Sequence, residues 1–399
     1  MYRVQTLLGI AVSALVAIGF VVLASASCVN GLKYGSSYYF LVRQLIWLGV
    51  AVIALVAAIF FDYHKWRDFP ILTILAYLAV LGLMTVVLFL PATKGSHRWI
   101  SFGSVNLQPS EFAKLAIVFV MAVYLDRVGL HIERLSGSLW ATGILGIPVA
   151  LALAEPDFGA ARVVGLGGGV LLLIAGMRWR HIILYGLIGL VGVGTLLVFN
   201  SNRMYRLAGY LPKNVAQMLG ISAEDMAASL EKGSTYQFDM AQVAIGNGRL
   251  TGRGLNESLQ KLTYLPEAHT DCIFAIGAEE WGLGFSLVLL FLYLVVFVLG
   301  IIIALKARDR LGRMIAYGMT MLVVFQALFN MGVVSGIFPP KGMALPFISY
   351  GGTNLIVTMI AIGTLFNIAR QIGLPKVRPR STISPVFSNQ GELEYGSRV

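Results

Sequence analysis

The sequence is poor in charge. Only 12% of its 399 residues are Asp, Glu, Lys or Arg, about half of the roughly 25% typical of soluble globular domains. That deficit excludes a soluble multidomain protein. It is also too large for one anchor helix on a soluble domain, so apolar segments must recur along the whole chain. Two cysteines, Cys28 and Cys272, exclude a disulfide framework and a Cys-rich metal site. Acids are outnumbered by bases, 19 to 30, for a net charge of +11. The bases are scattered over short loops and form no single stripe, so a nucleic-acid partner is not expected.

What the chain does have is apolar length. Hydrophobic residues make up 57% and the mean hydropathy is +0.79. A bilayer core takes about 20 apolar residues per helix. Ten runs qualify, at 4–27, 41–61, 70–90, 111–125, 139–154, 159–177, 182–199, 272–305, 314–334 and 353–370. The fourth and fifth are short, and the eighth is long enough to be tilted or to begin with a non-spanning piece. The predicted fold class is an all-α polytopic membrane protein of about ten transmembrane helices, with one large loop at 200–271 between helices 7 and 8. Ala24-Ser25-Ala26 has some likeness to a signal-peptidase site, but the apolar run before it is too long for a signal peptide, and a retained helix is expected. No internal repeat argues for an inverted-repeat transporter.

Basic residues set the expected orientation. Lys65, Arg67, Arg127, Arg134, Arg178, Arg180, Lys306, Arg308, Arg310 and Arg313 fall in loops on one side, with Lys376, Arg378 and Arg380 in the tail. By the positive-inside pattern that side is cytoplasmic and holds both termini. Residues 1–375 then form one transmembrane domain, and the polar 376–399 segment is expected to be a disordered cytoplasmic tail.

The loops of the other side hold four polar clusters. The first is Lys94-Gly95-Ser96-His97-Arg98-Trp99-Ile100 followed by Leu107-Gln108-Pro109-Ser110-Glu111-Phe112-Ala113-Lys114. Glu111 and Lys114 are three apart and can pair on one helix face, either as a structural ion pair or as a cation set beside a substrate phosphate. Trp99 reads equally as an interfacial anchor. The second is Glu155-Pro156-Asp157-Phe158-Gly159, where Asp157 reads as a helix N-cap or as a functional acid at membrane depth. The glycines Gly165, Gly167, Gly168 and Gly169 behind it suit close helix packing. The third cluster includes Gly252, Gly254, Ser258, Gln260 and Lys261, and leads into Tyr264-Leu265-Pro266-Glu267-Ala268-His269-Thr270-Asp271, with Glu279 and Glu280 two turns later. Asp271 lies where polar loop meets apolar run. There it is either another N-cap or a carboxylate whose low hydration favours general-base work. His269 with scattered acids is weak ground for a zinc site. The fourth is Phe338-Pro339-Pro340-Lys341-Gly342 with Leu345-Pro346-Phe347-Ile348-Ser349-Tyr350-Gly351-Gly352, a fixed loop that re-enters the protein and brings a cation, Lys341, to the same region. Acids and cations bordered by lipid suit an amphiphile with an anionic head and a long apolar tail.

At these four clusters the sequence resembles the SEDS family of cell-wall proteins, the group containing FtsW, RodA and SpoVE. The likeness covers nearly the whole chain. It is carried by KGSHRWI with LQPSEFAKL, by EPDFGA, by YLPEAHTD, and by FQALFNMGVV with FPPKGMALPFISYGG. Phe158 and Ala268 look more like the FtsW branch than the RodA branch. The resemblance implies a ten-span peptidoglycan glycosyltransferase that polymerises lipid II, a disaccharide-pentapeptide on undecaprenyl diphosphate, outside the cytoplasmic membrane and at the septum in cell division. The family's essential aspartate falls on Asp271, its tryptophan on Trp99 and its Glu/Lys pair on Glu111 and Lys114. The implied chemistry is inverting transfer with Asp271 as base. Arg98, Lys114, Arg203, Arg206 and Lys341 are the candidate cations for the leaving diphosphate. Asp157, His269 and Ser349 are further candidate substrate contacts. A divalent cation, Mg or Mn, on the diphosphate is a candidate cofactor. The implied partners are membrane lipid, a single-span class B penicillin-binding protein and other divisome proteins. Glu155 stands where a glutamine is usual, Cys272 where a phenylalanine is usual, Arg249 where a glycine is usual, and Met240-Ala241 replace a Gln-Ser pair. A lipid II flippase and a non-enzymatic division scaffold remain the alternative functions.

Overall fold

A computed structural model describes residues 1–32, 34–91, 98–103, 105–198, 236–263, 265 and 268–373. Arg203, Arg206, most of the long 200–271 loop and the 376–399 tail lie outside the described residues.

The described chain is helical almost throughout. Its helices are α1 (Tyr2–Leu32), α2 (Tyr39–Phe60), the single turn α3 (Lys65–Asp68), α4 (Pro70–Phe89), α5 (Pro109–Val128), α6 (Leu135–Ala154), α7 (Phe158–Ile174), α8 (Trp179–Val198), α9 (Tyr236–Gly248), α10 (Gln260–Thr263), α11 (Ile273–Lys306), α12 (Arg310–Val334) and α13 (Gly352–Gly373). Eight of them are long and apolar enough to cross a membrane, and α7 and α8 contribute two shorter apolar helices. The ten runs read from the sequence therefore each hold a helix. The fourth and fifth, short in the sequence, are full 20-residue helices. The extra length of α5 starts at Pro109, a first-turn position where a missing N–H costs nothing.

Two features depart from a plain helical bundle. Residues Ile100–Phe102 (β1) and Val105–Leu107 (β2) pair antiparallel, Ser101 opposite Asn106. The turn between them uses Gly103 at φ 59, a conformation open to glycine. Helix α11 is also not one rod. At Gly282 the backbone turns to φ 68, ψ −158, so residues 273–281 form a separate piece before the span. A broken helix strands backbone groups that need partners inside a membrane protein. The loop after α9 supplies them: Arg253 N–H donates to the Glu279 carbonyl (3.0 Å), Gly254 N–H to the Glu280 carbonyl (3.0 Å), and Leu283 N–H to the Arg249 carbonyl (3.0 Å). Arg249 holds φ 47, which accounts for the glycine usual there. Of the four α7 glycines, Gly168 is the one pressed by a neighbour, the Leu145 side chain, while Gly167 and Gly169 face open space.

Packing then gathers the four polar clusters at one end of the bundle. Helix α12 is central, lying against α5, α7, α11 and α13, and α2 packs along α13. The C-terminal end of α1, the start of α5, the α6–α7 turn, the start of α11, the end of α12 and the start of α13 share that end. The opposite end carries the basic loops. There the Tyr63 hydroxyl donates to Asp309 (2.6 Å) and Arg310 donates to the Ala175 carbonyl (3.2 Å).

Candidate active site

Asp271 stands one residue before the N-cap of α11. That cap is Cys272, which makes no side-chain cap bond, so Asp271 does not occupy the N-cap position. Its backbone carbonyl accepts from the Asn330 amide on α12 at 2.9 Å, and the same amide donates to the Met343 carbonyl at 2.6 Å. One buried side chain thus holds together the aspartate turn and the re-entrant loop. From that loop Gly342 lies directly against the Asp271 carboxylate; a Cβ there would overlap Oδ2. Ser349 fixes the turn from the other side, donating to the Thr270 carbonyl (2.6 Å) while accepting from Leu345 N–H (2.8 Å). The His269 ring is buried against Phe40, 4.3 Å between ring centres, and Tyr350, 5.8 Å. Ser349 and His269 therefore brace the turn that presents Asp271.

One turn deeper on α12, Gln326 repeats the arrangement. Its amide donates to the Ala344 carbonyl (2.9 Å) and its oxygen accepts from Lys114 (2.8 Å). Lys114 pairs with Glu111 at 2.6 Å, and the second Glu111 oxygen accepts from Asn354 on α13 (2.9 Å). Lys114 is 3% exposed and Glu111 6%. The pair thus ties α5, α12 and α13 together beneath the re-entrant loop. Removing one member of a buried pair leaves a bare charge and costs about 3–5 kcal/mol.

The α6–α7 turn lies beside this centre. Asp157 caps α7, with Oδ1 accepting from Ala160 N–H (3.1 Å) and Oδ2 from Gln108 (2.7 Å) and Ser110 (2.9 Å). Burial alone would raise this carboxyl, but Lys341, Arg98 and the hydrogen bonds together hold it below its ordinary value. Lys341 donates to the Pro156 carbonyl (2.7 Å) and sits over the Phe158 ring at 5.9 Å. Arg98 lies over the Trp99 ring at 5.9 Å. The Thr353 hydroxyl ties the hairpin at the Asn106 carbonyl to α13 (3.3 Å).

A second buried ion pair sits behind the third cluster. Lys261 pairs with Glu280 at 2.8 Å and also donates to Ser25 of α1 (2.8 Å) and Asn256 (2.6 Å). Glu279 accepts from the Ser258 hydroxyl and from Leu259 N–H. The broken start of α11 is fastened to α1 and to the loop in this way.

The fold thus brings Arg98, Trp99, Glu111, Lys114, Asp157, His269, Asp271, Lys341 and Ser349 to one end. Gln326 and Asn330 were missed from the sequence. Two amides four residues apart within an apolar span were the available signal, since polar groups inside a membrane are costly unless paired. Among the described residues no group of three or more His, Cys, Asp or Glu is arranged to hold a metal ion.

Comparison with known proteins agrees with this architecture. A family model described as a cell cycle protein, for FtsW, RodA and SpoVE, matches residues 5–373. The probable peptidoglycan glycosyltransferase FtsW of Geobacter metallireducens is 36% identical over 370 residues, covering 91% of this chain and 94% of that protein. The stage V sporulation protein E of Bacillus subtilis is 35% identical over 358 residues, covering 89% and 94%. Among solved structures, a chain from a peptidoglycan synthase complex coordinating polymerization and crosslinking superposes with a TM-score of 0.70 at 26% identity, covering 92% of this chain and 98% of that one. The rod shape determining protein RodA of Thermus thermophilus gives 0.65 at 25% identity, covering 92% and 97%. With the match running over nearly its whole length, the chain belongs to the FtsW/RodA/SpoVE family.

Proposed function

We propose that this protein is a peptidoglycan glycosyltransferase of the FtsW type, polymerising lipid II into glycan strands during cell division. The observation that carries the reading is Asp271, whose backbone turn is held by Asn330 and Ser349 and whose carboxylate lies against Gly342 at the polar end of the bundle. That end is the outer face of the cytoplasmic membrane, because the basic loops gather at the other. Asp271 accepts the proton from the 4-hydroxyl of the acceptor GlcNAc as that oxygen bonds to the anomeric carbon of the donor MurNAc. The bond from that carbon to the diphosphate breaks, and undecaprenyl diphosphate leaves with the electron pair. Attack opposite the leaving group inverts the anomeric centre. Arg98 and Lys341, beside the α6–α7 turn, stabilise the charge on the diphosphate, an effect strongest where preorganised groups are poorly hydrated. Holding two lipid-linked sugars in line supplies much of the remaining acceleration. The crosslinking partner is a single-span class B penicillin-binding protein.

The Asp271→Asn variant tests the reading. It keeps size and removes the base, and losing a general base costs about 10²–10⁴ in rate. Purified protein with lipid II and a transpeptidase inhibitor should give almost no glycan on a strand-resolving gel, with the melting temperature unchanged. Wild-type-like polymer from folded Asp271→Asn protein would sink the mechanism. A flippase or a scaffold would keep its function in that variant, since neither abstracts a proton from a sugar.

A further inference from the structure

Glu155 is an acid that the mechanism above leaves unused. It caps the C-terminal end of α6, two residues before Asp157, and is 0% exposed. The two neighbours have opposite surroundings. Asp157 accepts three hydrogen bonds. Glu155 accepts none among the described residues, at either oxygen, and the buried Nε of Arg98 is likewise without a partner there. A buried polar group left unpaired costs about 1–3 kcal/mol and more when charged. An isolated buried carboxylate relieves this by holding its proton. Burial and then the Asp157 charge push the Glu155 carboxyl up to about 8, against the opposing pull of Arg98. Glu155 thus holds its proton more tightly than a carboxyl in water does, in the same turn that Lys341 grips through the Pro156 carbonyl.

We infer that Glu155 donates a hydrogen bond to the diphosphate of the lipid-linked donor, next to the Nε of Arg98, equally unpartnered among the described residues. The inference rests on the glycosyltransferase reading and names one of its substrate contacts. A carboxyl donor beside Arg98, in the turn that Lys341 grips at the Pro156 carbonyl, matches a group bearing several acceptor oxygens. A divalent metal fits less well, because the Asp157 oxygens are already engaged and Arg98 and Lys341 supply positive charge. The charged groups acting on Glu155 are Asp157 at the start of α7 and Arg98 in the segment before β1. Above its titration the ionised carboxylate repels the diphosphate.

The test measures binding, so it needs no turnover. Full-length protein in nanodiscs is titrated with farnesyl diphosphate in the presence of EDTA between pH 6.5 and 9.5, as wild type, Glu155→Gln and Glu155→Ala. The glutamine keeps a neutral donor and reports the probe's own titration. Relative to it, wild-type affinity should fall about tenfold for each pH unit above about 8, the slope of one linked proton. The alanine variant should bind about tenfold more weakly than wild type at pH 7. If alanine impairs folding, the comparison of wild type with glutamine carries the test. Parallel pH profiles for those two proteins would overturn the inference. So would equal affinity for farnesyl monophosphate, or wild-type binding that appears only when Mg replaces EDTA. Because polymerisation is assayed separately, failure here leaves the glycosyltransferase reading standing, and absence of polymer would not alter the binding result.

Discussion

Gly342 offers the sharpest separation of activity from stability. Its φ is not in the left-handed region, unlike those of Gly252 or Gly282, so its backbone places no demand for glycine. What excludes a side chain is Asp271. A Cβ built at 342 overlaps Oδ2 and falls 2.8 Å from Cγ, whereas carbon contacts are relaxed near 3.5–4.0 Å. In Gly342→Ala the carboxylate must therefore swing by more than about 1 Å. The atoms in the way are the far end of a side chain and not backbone, so the rotamer part of the fold cost is about 0.5–1.5 kcal/mol. A 1 Å misplacement of a reacting group costs on the order of 10²-fold in rate, or about 2.7 kcal/mol of barrier. Lipid II polymerisation should drop about a hundredfold, with the melting temperature nearly unchanged. Gly252→Ala is the control: there φ is 78 and the added carbon meets the Glu280 carbonyl, so stability should fall. Full activity in Gly342→Ala would refute the placement of Asp271 as base. Activity lost only in step with the melting temperature would refute it equally.

Three further outcomes follow from the same geometry. Lys114→Met alone should destabilise strongly, by about 3–5 kcal/mol, because Glu111 keeps only Asn354; the double change with Glu111→Gln should recover most of the melting temperature, and full polymerase activity in that folded double variant would make the pair purely structural. Glu155 is raised in the folded state, so it favours folding least at high pH: wild-type stability should decline from about pH 5 through about 8, while Glu155→Gln removes that slope, as melting curves at pH 5, 7 and 9 would show; parallel curves would contradict the assignment. Cys28 and Cys272 are free thiols, the first partly exposed and the second buried with its sulfur accepting from Gln237; alkylation without reductant should label at most Cys28 in the folded protein and both after denaturation, read by intact mass.

Much of this protein is legible in one dimension because the bilayer is a severe solvent. It demands a run of about 20 apolar residues for each crossing and internal pairing of every backbone group, so ten runs announce ten helices and the polar clusters between them announce the loops. Chemistry that depends on partners far along the chain is a different matter. Glu155 and Asp157 are two acids in one turn, and local sequence marks Asp157 only as an N-cap. Asp157 is satisfied because Gln108 and Ser110, 49 and 47 residues away, reach it, and nothing comparable among the described residues reaches Glu155. The same holds for Asn330, which meets Asp271 across 59 residues, and for Gln326, which meets Lys114 across 212. The length of the eighth run left room for a separate piece before the span, but where it breaks, at Gly282, depends on hydrogen bonds with residues 249–254. The sequence by itself determined the membrane class, the ten apolar helices and the family, because apolar length and local motifs are properties of contiguous residues. Only the tertiary structure decided which polar groups are satisfied, which brace the aspartate turn and which have no partner among the described residues, because a hydrogen bond is a property of distance in space.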